Sequence, residues 1–184
     1  MADINISLPG RTDGTRGPDS SRPVSREDNL PRLPGAGSTA KPTLAQDEQV
    51  DQQRTAEVHD AMPFARALGI EILSAAREEV RGRIRWSAEL CTVANGLHGG
   101  LLMSLADTCG ALVAFYNLPE GSTTSTIESK TNFLRGVSSG SVIATSMPLH
   151  IGRTTIVVVT DIVTSDGKLA ARVTQTQAVL PALR

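Results

Sequence analysis

Asp107 stands in the middle of the most apolar stretch of this 184-residue chain, Leu101 to Tyr116. Only Ser104 and Thr108 otherwise interrupt the apolar character there before Tyr116. An unpaired carboxylate buried in such a stretch costs several kcal/mol or is forced neutral. Two readings follow from the segment alone. Asp107 is either a satisfied core aspartate bonded to Ser or Thr neighbours, or a base or nucleophile tuned by its surroundings.

The residues just before it favour chemistry. His98-Gly99-Gly100 opens the apolar stretch. Two glycines where a helix begins leave backbone N–H groups uncovered by side chains. With the helix dipole, such groups can stabilise a developing oxyanion. A plain glycine-rich turn is the other reading of the same three residues. Cys91 and Cys109 are too few for a disulfide framework and lack metal-ligand spacing, so both are expected to act as small buried apolar residues in a reducing compartment. Cys109 has no evident His partner, and His59 and His150 are set aside as non-catalytic.

The elements that must position these residues are legible from periodicity. A short helix is predicted over Val58 to Leu68, stopped by Gly69, and a strand over Ile70 to Ala76. Val80 to Trp86 alternates strictly, with Val80, Ile84 and Trp86 facing a core and Arg81, Arg83 and Arg85 facing out. Leu90 to Leu97 reads as a loop. Leu101 to Tyr116 is about four turns of helix, apolar all round, hence buried on all sides; Pro119 and Gly121 end it. Four strands follow, over Thr123 to Leu134, Ser141 to His150, Thr154 to Thr164 and Lys168 to Leu180. Asp166-Gly167 marks a hairpin between the last two. The predicted class is α+β: a long central helix wrapped by a curved antiparallel sheet.

Composition bounds the rest. The net charge of −1 offers no global field for nucleic acid or an anionic membrane. Every long apolar stretch is broken by polar residues and the first residues carry no apolar run, so no membrane span or secretory signal is expected and the default location is the cytoplasm. Residues 1–54 hold six of the ten prolines, no aromatics, and seven basic against eight acidic side chains. Such a segment cannot bury enough apolar surface to offset chain entropy, so a disordered tail over 1–54 and one domain over 55–184 are expected.

The run Asn95-Gly96-Leu97-His98-Gly99-Gly100, followed by Leu105-Ala106-Asp107, resembles the PaaI-like hotdog-fold acyl-CoA thioesterases. Their pattern is an Asn, then His-Gly-Gly, then an acidic residue nine positions after the His. Thr131-Asn132-Phe133-Leu134-Arg135, His150-Ile151-Gly152-Arg153 and the Asp166-Gly167-Lys168 hairpin also look like that family, and the likeness runs from about Phe64 to Val179. It implies a hotdog fold and hydrolysis of an acyl-CoA thioester to a free acid and CoA, with no metal or redox cofactor. Position by position, it implies that the Gly99 N–H polarises the thioester carbonyl, that Asp107 attacks it or activates water, and that His98 orients the loop or the thioester. Asn95 would position water, a role open to Thr92 as well, since many relatives place the Asn six residues before the His. Thr126 would hold the nucleophilic water. Arg135 and Arg153, with Gly152 and Thr154, would meet the phosphates of CoA; the stripe Arg81, Arg83, Arg85 is a rival whose plainer reading is a solvated strand face. Gly136 stands where relatives carry proline.

Geometry adds a constraint. Gly99 and Asp107 are eight residues apart, roughly 12 Å along a helix. One thioester carbon cannot lie within about 3 Å of both. If both serve one reaction, they come from two chains, which predicts a homodimer, or a tetramer built from dimers. The competing readings are a non-catalytic acyl-CoA-binding module and an oligomeric scaffold. Nothing in residues 1–54 resembles a helix-turn-helix, and a pure binder has no need of a buried carboxylate beside a carbonyl.

Overall fold

The computed structural model describes residues 48–181. The expected tail over residues 1–47 lies outside the described residues. Its expected end does not hold: helix α1, Gln52–Ala61, already includes Arg54. Asp51 caps it, its carboxylate accepting from the Arg54 N–H at 2.9 Å. The single helix expected over 58–68 is two helices, because α2, Pro63–Ala67, begins at a proline. Proline lacks the N–H that would continue α1 and forces the preceding residue out of the helical region, where Met62 sits at φ −128°, ψ 83°. Gly69, at φ +66°, provides the left-handed turn that ends α2.

The strands are β1 (Glu71–Ala75), β2 (Val80–Arg85), β3 (Thr123–Phe133), β4 (Ser141–Ile151), β5 (Thr155–Thr164) and β6 (Leu169–Leu180). They form one six-stranded sheet in the order β1-β2-β4-β5-β6-β3, antiparallel at every pairing. Between β2 and β3 runs α3, Gly99–Tyr116, packed against β2, β4, β5, β6 and β3. The alternation of β5 sends Ile156, Val158, Thr160 and Ile162 inward, all fully buried. Leu105 and Val113 of α3 are also fully buried, each contributing about 1.5–3 kcal/mol by leaving water. Helix and sheet meet closely at Gly82, where an added Cβ would sit 2.6 Å from Cys109 Sγ. This is the hotdog architecture expected from the sequence.

Two expectations about faces are corrected. Although α3 is apolar and long enough to cross a membrane, with half of that stretch buried inside the fold, it is not covered all round. Met103, Asp107 and Phe115 form an exposed stripe at helical spacing. One sheet covers one side of a helix, so a single chain leaves the other side open. The arginine stripe on β2 is not a solvated face either. Arg83 is 1% exposed, and its Nε donates to Glu71 across the β1–β2 pair at 2.6 Å. A second guanidinium nitrogen of Arg83 reaches the backbone carbonyl of Glu48 at 3.1 Å. Arg81 pairs with Glu48 at 2.6 Å, and Arg85 with Glu71 at 3.3 Å. These guanidiniums are committed to carboxylates within the chain.

Candidate active site

Asp107 projects from the middle of α3 toward the last strand pair of the sheet. Gln175 on β6 donates its Nε2–H to Asp107 Oδ1 at 2.7 Å, and the Thr126 hydroxyl on β3 donates to the same oxygen at 3.0 Å. Gln177 Nε2 in turn donates to Thr126 Oγ1 at 2.9 Å. Both bonds to the carboxylate fall on Oδ1, so Oδ2 keeps its lone pairs for a ligand. The pairing of Thr126 with Gln177 is followed at once by a register shift between Thr126 and Glu128. That bulge re-aims the edge strand next to the carboxylate. Asp107 itself is exposed in the single chain, a departure from the buried carboxylate expected.

His98 is the N-cap of α3. Its Nδ1 accepts from the Gly100 N–H at 2.9 Å, which puts the proton of the neutral ring on Nε2. The Gly100 amide is therefore occupied, while the Gly99 amide, in the first turn, has no partner within the helix. The glycine lets the helix start and the Phe133 ring approach closely: an added Cβ would lie 3.1 Å from the ring. Asn95 sits in the loop before His98 with a left-handed φ of 56°. Its carbonyl accepts from the Trp86 indole at 3.0 Å and the Cys91 thiol at 3.3 Å. These bonds brace the loop, so Trp86 serves it as well as the core. Beside His98 lies a groove of about 400 Å³ lined by Phe64, Leu68, Leu90, Leu101 and Ser104, with Glu89 among its polar walls.

Within one chain, then, Asp107 meets Thr126, and His98 adjoins Gly99. The two pairs are not brought together, because they occupy different positions along one helix. The four residues expected at the CoA phosphates are separated too. Arg135 follows β3 where the Arg135 N–H bonds the Ala170 carbonyl, in a cleft shared with Ser138, Ser139 and Lys168. Gly152, Arg153 and Thr154 form the β4–β5 turn, where the Val179 N–H bonds the Thr154 carbonyl. From Ala171 to Ala178 along β6 is about 23 Å, so one chain carries these groups at opposite ends of its sheet. Cys109 is no nucleophile: burial pushes its thiol up to about 12. Cys91 is half-buried rather than buried.

Gln175 and Gln177 went unnoticed in the sequence reading, although a signal was there. Val173, Gln175, Gln177 and Val179 share one parity along β6, the core-facing one, and both glutamines are fully buried. Two amides at core positions of a strand ask for a polar partner.

A family described as the thioesterase superfamily matches residues 94–171, from the loop before His98 into β6. A Haemophilus influenzae protein named as a candidate esterase is 34% identical over 102 residues, 55% of this chain and 74% of that protein. Among solved structures, thioesterase HI1161 from Haemophilus influenzae aligns with a TM-score of 0.67 and 27% identity, over 77% of this chain and 98% of that one. The Escherichia coli PaaI protein from the phenylacetic acid degradation operon aligns at 0.63 with 26% identity, over 71% and 94%. Fold, motif order and relatives agree: this chain belongs to the thioesterase superfamily, as a PaaI-like hydrolase of thioesters with the hotdog fold.

Proposed function

We propose that the chain hydrolyses acyl-CoA thioesters to free acids and CoA in sites shared between two copies of itself. The observation that carries this is the placement of Asp107: exposed on the open stripe of α3, held on one oxygen by neutral donors, and about 12 Å along the helix from the Gly99 amide. Two α3 helices crossing antiparallel about a two-fold axis would set the Gly99 amide of one copy against Asp107 of the other. The edge strand β3 supports the same pairing. It is eleven residues long, bonded on one side only, and carries Ile127 with 63% of its surface exposed.

In this reading the thioester carbonyl oxygen lies on the Gly99 N–H, with the His98 Nε2–H as a neighbouring donor. The partner's Asp107 either takes a proton from water, which then attacks the carbonyl carbon, or attacks that carbon itself. The negative charge gathering on the carbonyl oxygen is met by the helix N-terminus. The C–S bond then breaks and CoA leaves as its thiolate; where Asp107 is the nucleophile, water then hydrolyses the acyl–Asp107 anhydride, releasing the free acid and restoring the carboxylate. Thr126 accepts from Gln177 and donates to Asp107, and its remaining lone pair can accept from the reacting water. Asn95, at the loop mouth, is the other group assigned to water. The acyl group takes the groove beside His98. CoA phosphates fall to Arg135 of one copy and to Gly152, Arg153 and Thr154 of the other, since one chain holds them too far apart. No cofactor enters, CoA being part of the substrate, and a cytoplasmic location is proposed with it.

Thiol release measured over a panel of acyl-CoAs tests the reaction, and sedimentation at micromolar concentration tests the assembly. Turnover of at least one acyl-CoA by a dimer or tetramer is expected. Saturable acyl-CoA binding without thiol release would make the chain a binding module, and a fully active monomer would refute the shared site.

A further inference from the structure

We infer that Gln175 is a positioning residue for Asp107, and that Gly110 is glycine in order to seat it. This rests on the assignment of Asp107 to the chemistry. Gln175 is fully buried, and its Nε2–H reaches Asp107 Oδ1 at 2.7 Å. The other end of the amide, Oε1, has no hydrogen-bond partner among the described residues. A buried acceptor left unmade is costly, and a methionine or leucine of similar shape would carry no such cost. The side chain is therefore poorly explained as packing. The amide cannot turn over to relieve the orphan oxygen, because Oε1 would then face a carboxylate oxygen.

Gly110 supplies the second, independent observation. It lies on α3 three residues beyond Asp107, on the same side of the helix. Glycine inside a helix costs about 1 kcal/mol relative to alanine. An added Cβ at this position would sit 2.1 Å from Gln175 Oε1 and 3.1 Å from its Cδ. The amide would have to swing away, and the bond to Asp107 would go with it. Helix propensity is thus given up at a place where a methyl group would unseat the donor. With Oδ1 fixed from beneath by this amide, Oδ2 is held toward the open face of α3.

Gln175→Met, Gly110→Ala and the double variant test this, with kcat, KM and Tm measured on the acyl-CoA turned over fastest and Asp107→Asn as reference. A hydrogen bond to a charged group is worth roughly ten- to a hundredfold in rate. Gln175→Met is expected to lower kcat by that factor, with KM within about twofold and Tm unchanged or raised because the orphan acceptor is gone. Gly110→Ala should lower kcat similarly, against its favourable propensity, and the double variant should be no slower than Gln175→Met. A packing role predicts the reverse: lower Tm with wild-type kcat in the folded protein. Wild-type kcat in Gly110→Ala overturns the inference even if Gln175→Met folds poorly. An active Asp107→Asn would instead remove the assignment of Asp107 on which all this stands.

Discussion

Two polar clusters lie on this one sheet, and they treat a carboxylate in opposite ways. At the β1–β2 end, acid meets base. Glu71 is bracketed by Arg83 and Arg85, and Glu48 grips Arg81 through two nitrogens at 2.6 and 2.8 Å. At the β3–β6 end, among the described residues, Asp107 receives only the neutral donors Thr126 and Gln175. Neutral donors orient a carboxylate without cancelling its charge, and they leave it free to take a proton or to attack. A matched guanidinium satisfies the charge and holds chain segments together instead. The first cluster accordingly joins the segment at Glu48 to β2, whereas the second faces the open side of α3. On the reading proposed above, the buried, cation-paired cluster is structural, and the carboxylate met by an amide and a hydroxyl is the reactive one.

The strongest way to break that contrast is to neutralise each acid site and compare rate with stability. Asp107→Asn keeps an oxygen for Gln175 and Thr126 but can neither accept a proton nor attack. Turnover is expected to fall by at least about a hundredfold, more if Asp107 is the nucleophile, with Tm preserved. Near wild-type thiol release from the folded variant would end the reading of Asp107.

Arg83→Met should do the opposite. It leaves Glu71 without its buried partner. Glu71 keeps 27% of its side-chain surface exposed and retains Arg85, so the loss should fall below the range for fully buried pairs, at about 2–3 kcal/mol. A lower denaturation midpoint with unchanged kcat in the remaining folded protein is expected. A rate loss without a stability loss would mean that this cluster, too, serves the chemistry.

Much of this contrast was open to the sequence, but not all of it. Helix α3, the strands and the Asp166-Gly167 hairpin are local patterns, and periodicity and turn chemistry report them directly. The split between α1 and α2 was also local, in Pro63, and was missed. The burial of Arg83 was not local. Alternation told which face of β2 it occupies, while its cover comes from Glu48, far back along the chain and on the unexpected side of the tail boundary. The separation of Arg135 from Arg153 depends on strand order, which spacing along the chain does not state. Asp107 and its glycine-rich helix start were plain in the sequence, because their neighbours are apolar. Its two glutamine neighbours were half-plain: parity marked them as inward, but nothing local named the partner they face.

The tail boundary gives a graded test of the structural cluster. A chain beginning at Glu48 is expected to keep the wild-type Tm, since residues 1–47 offer little apolar surface. A chain beginning at Thr55 loses the Glu48 pair with Arg81 and the Asp51 cap on α1. It also loses the bond from the Asp51 N–H to the Ile72 carbonyl. About 1–2 kcal/mol should go with them, while kcat holds. Equal midpoints for the two chains would show that the Glu48 and Asp51 contacts contribute nothing measurable.

The smallest effect belongs to Asp166, which separates pairing from burial. Lys168 and Thr164 both bond its carboxylate in the β5–β6 hairpin and hold it down at about 2. It therefore has the cation that Asp107 lacks, but at an exposed site. A carboxylate held lower in the folded chain stabilises above its unfolded value, and that contribution is lost as pH falls through the folded value. The window here runs from about 4 down to about 2. Water and salt screen an exposed pair, so little stability is at stake. Asp166→Asn is expected to leave kcat unchanged and to lower Tm slightly at neutral pH. The gap between variant and wild type should close as the buffer is taken from pH 4 toward 2, and shrink in high salt. Thermal melts at three pH values and two salt concentrations decide it. A loss as large as that of Arg83→Met would show that pairing alone, without burial, makes a carboxylate structural in this fold.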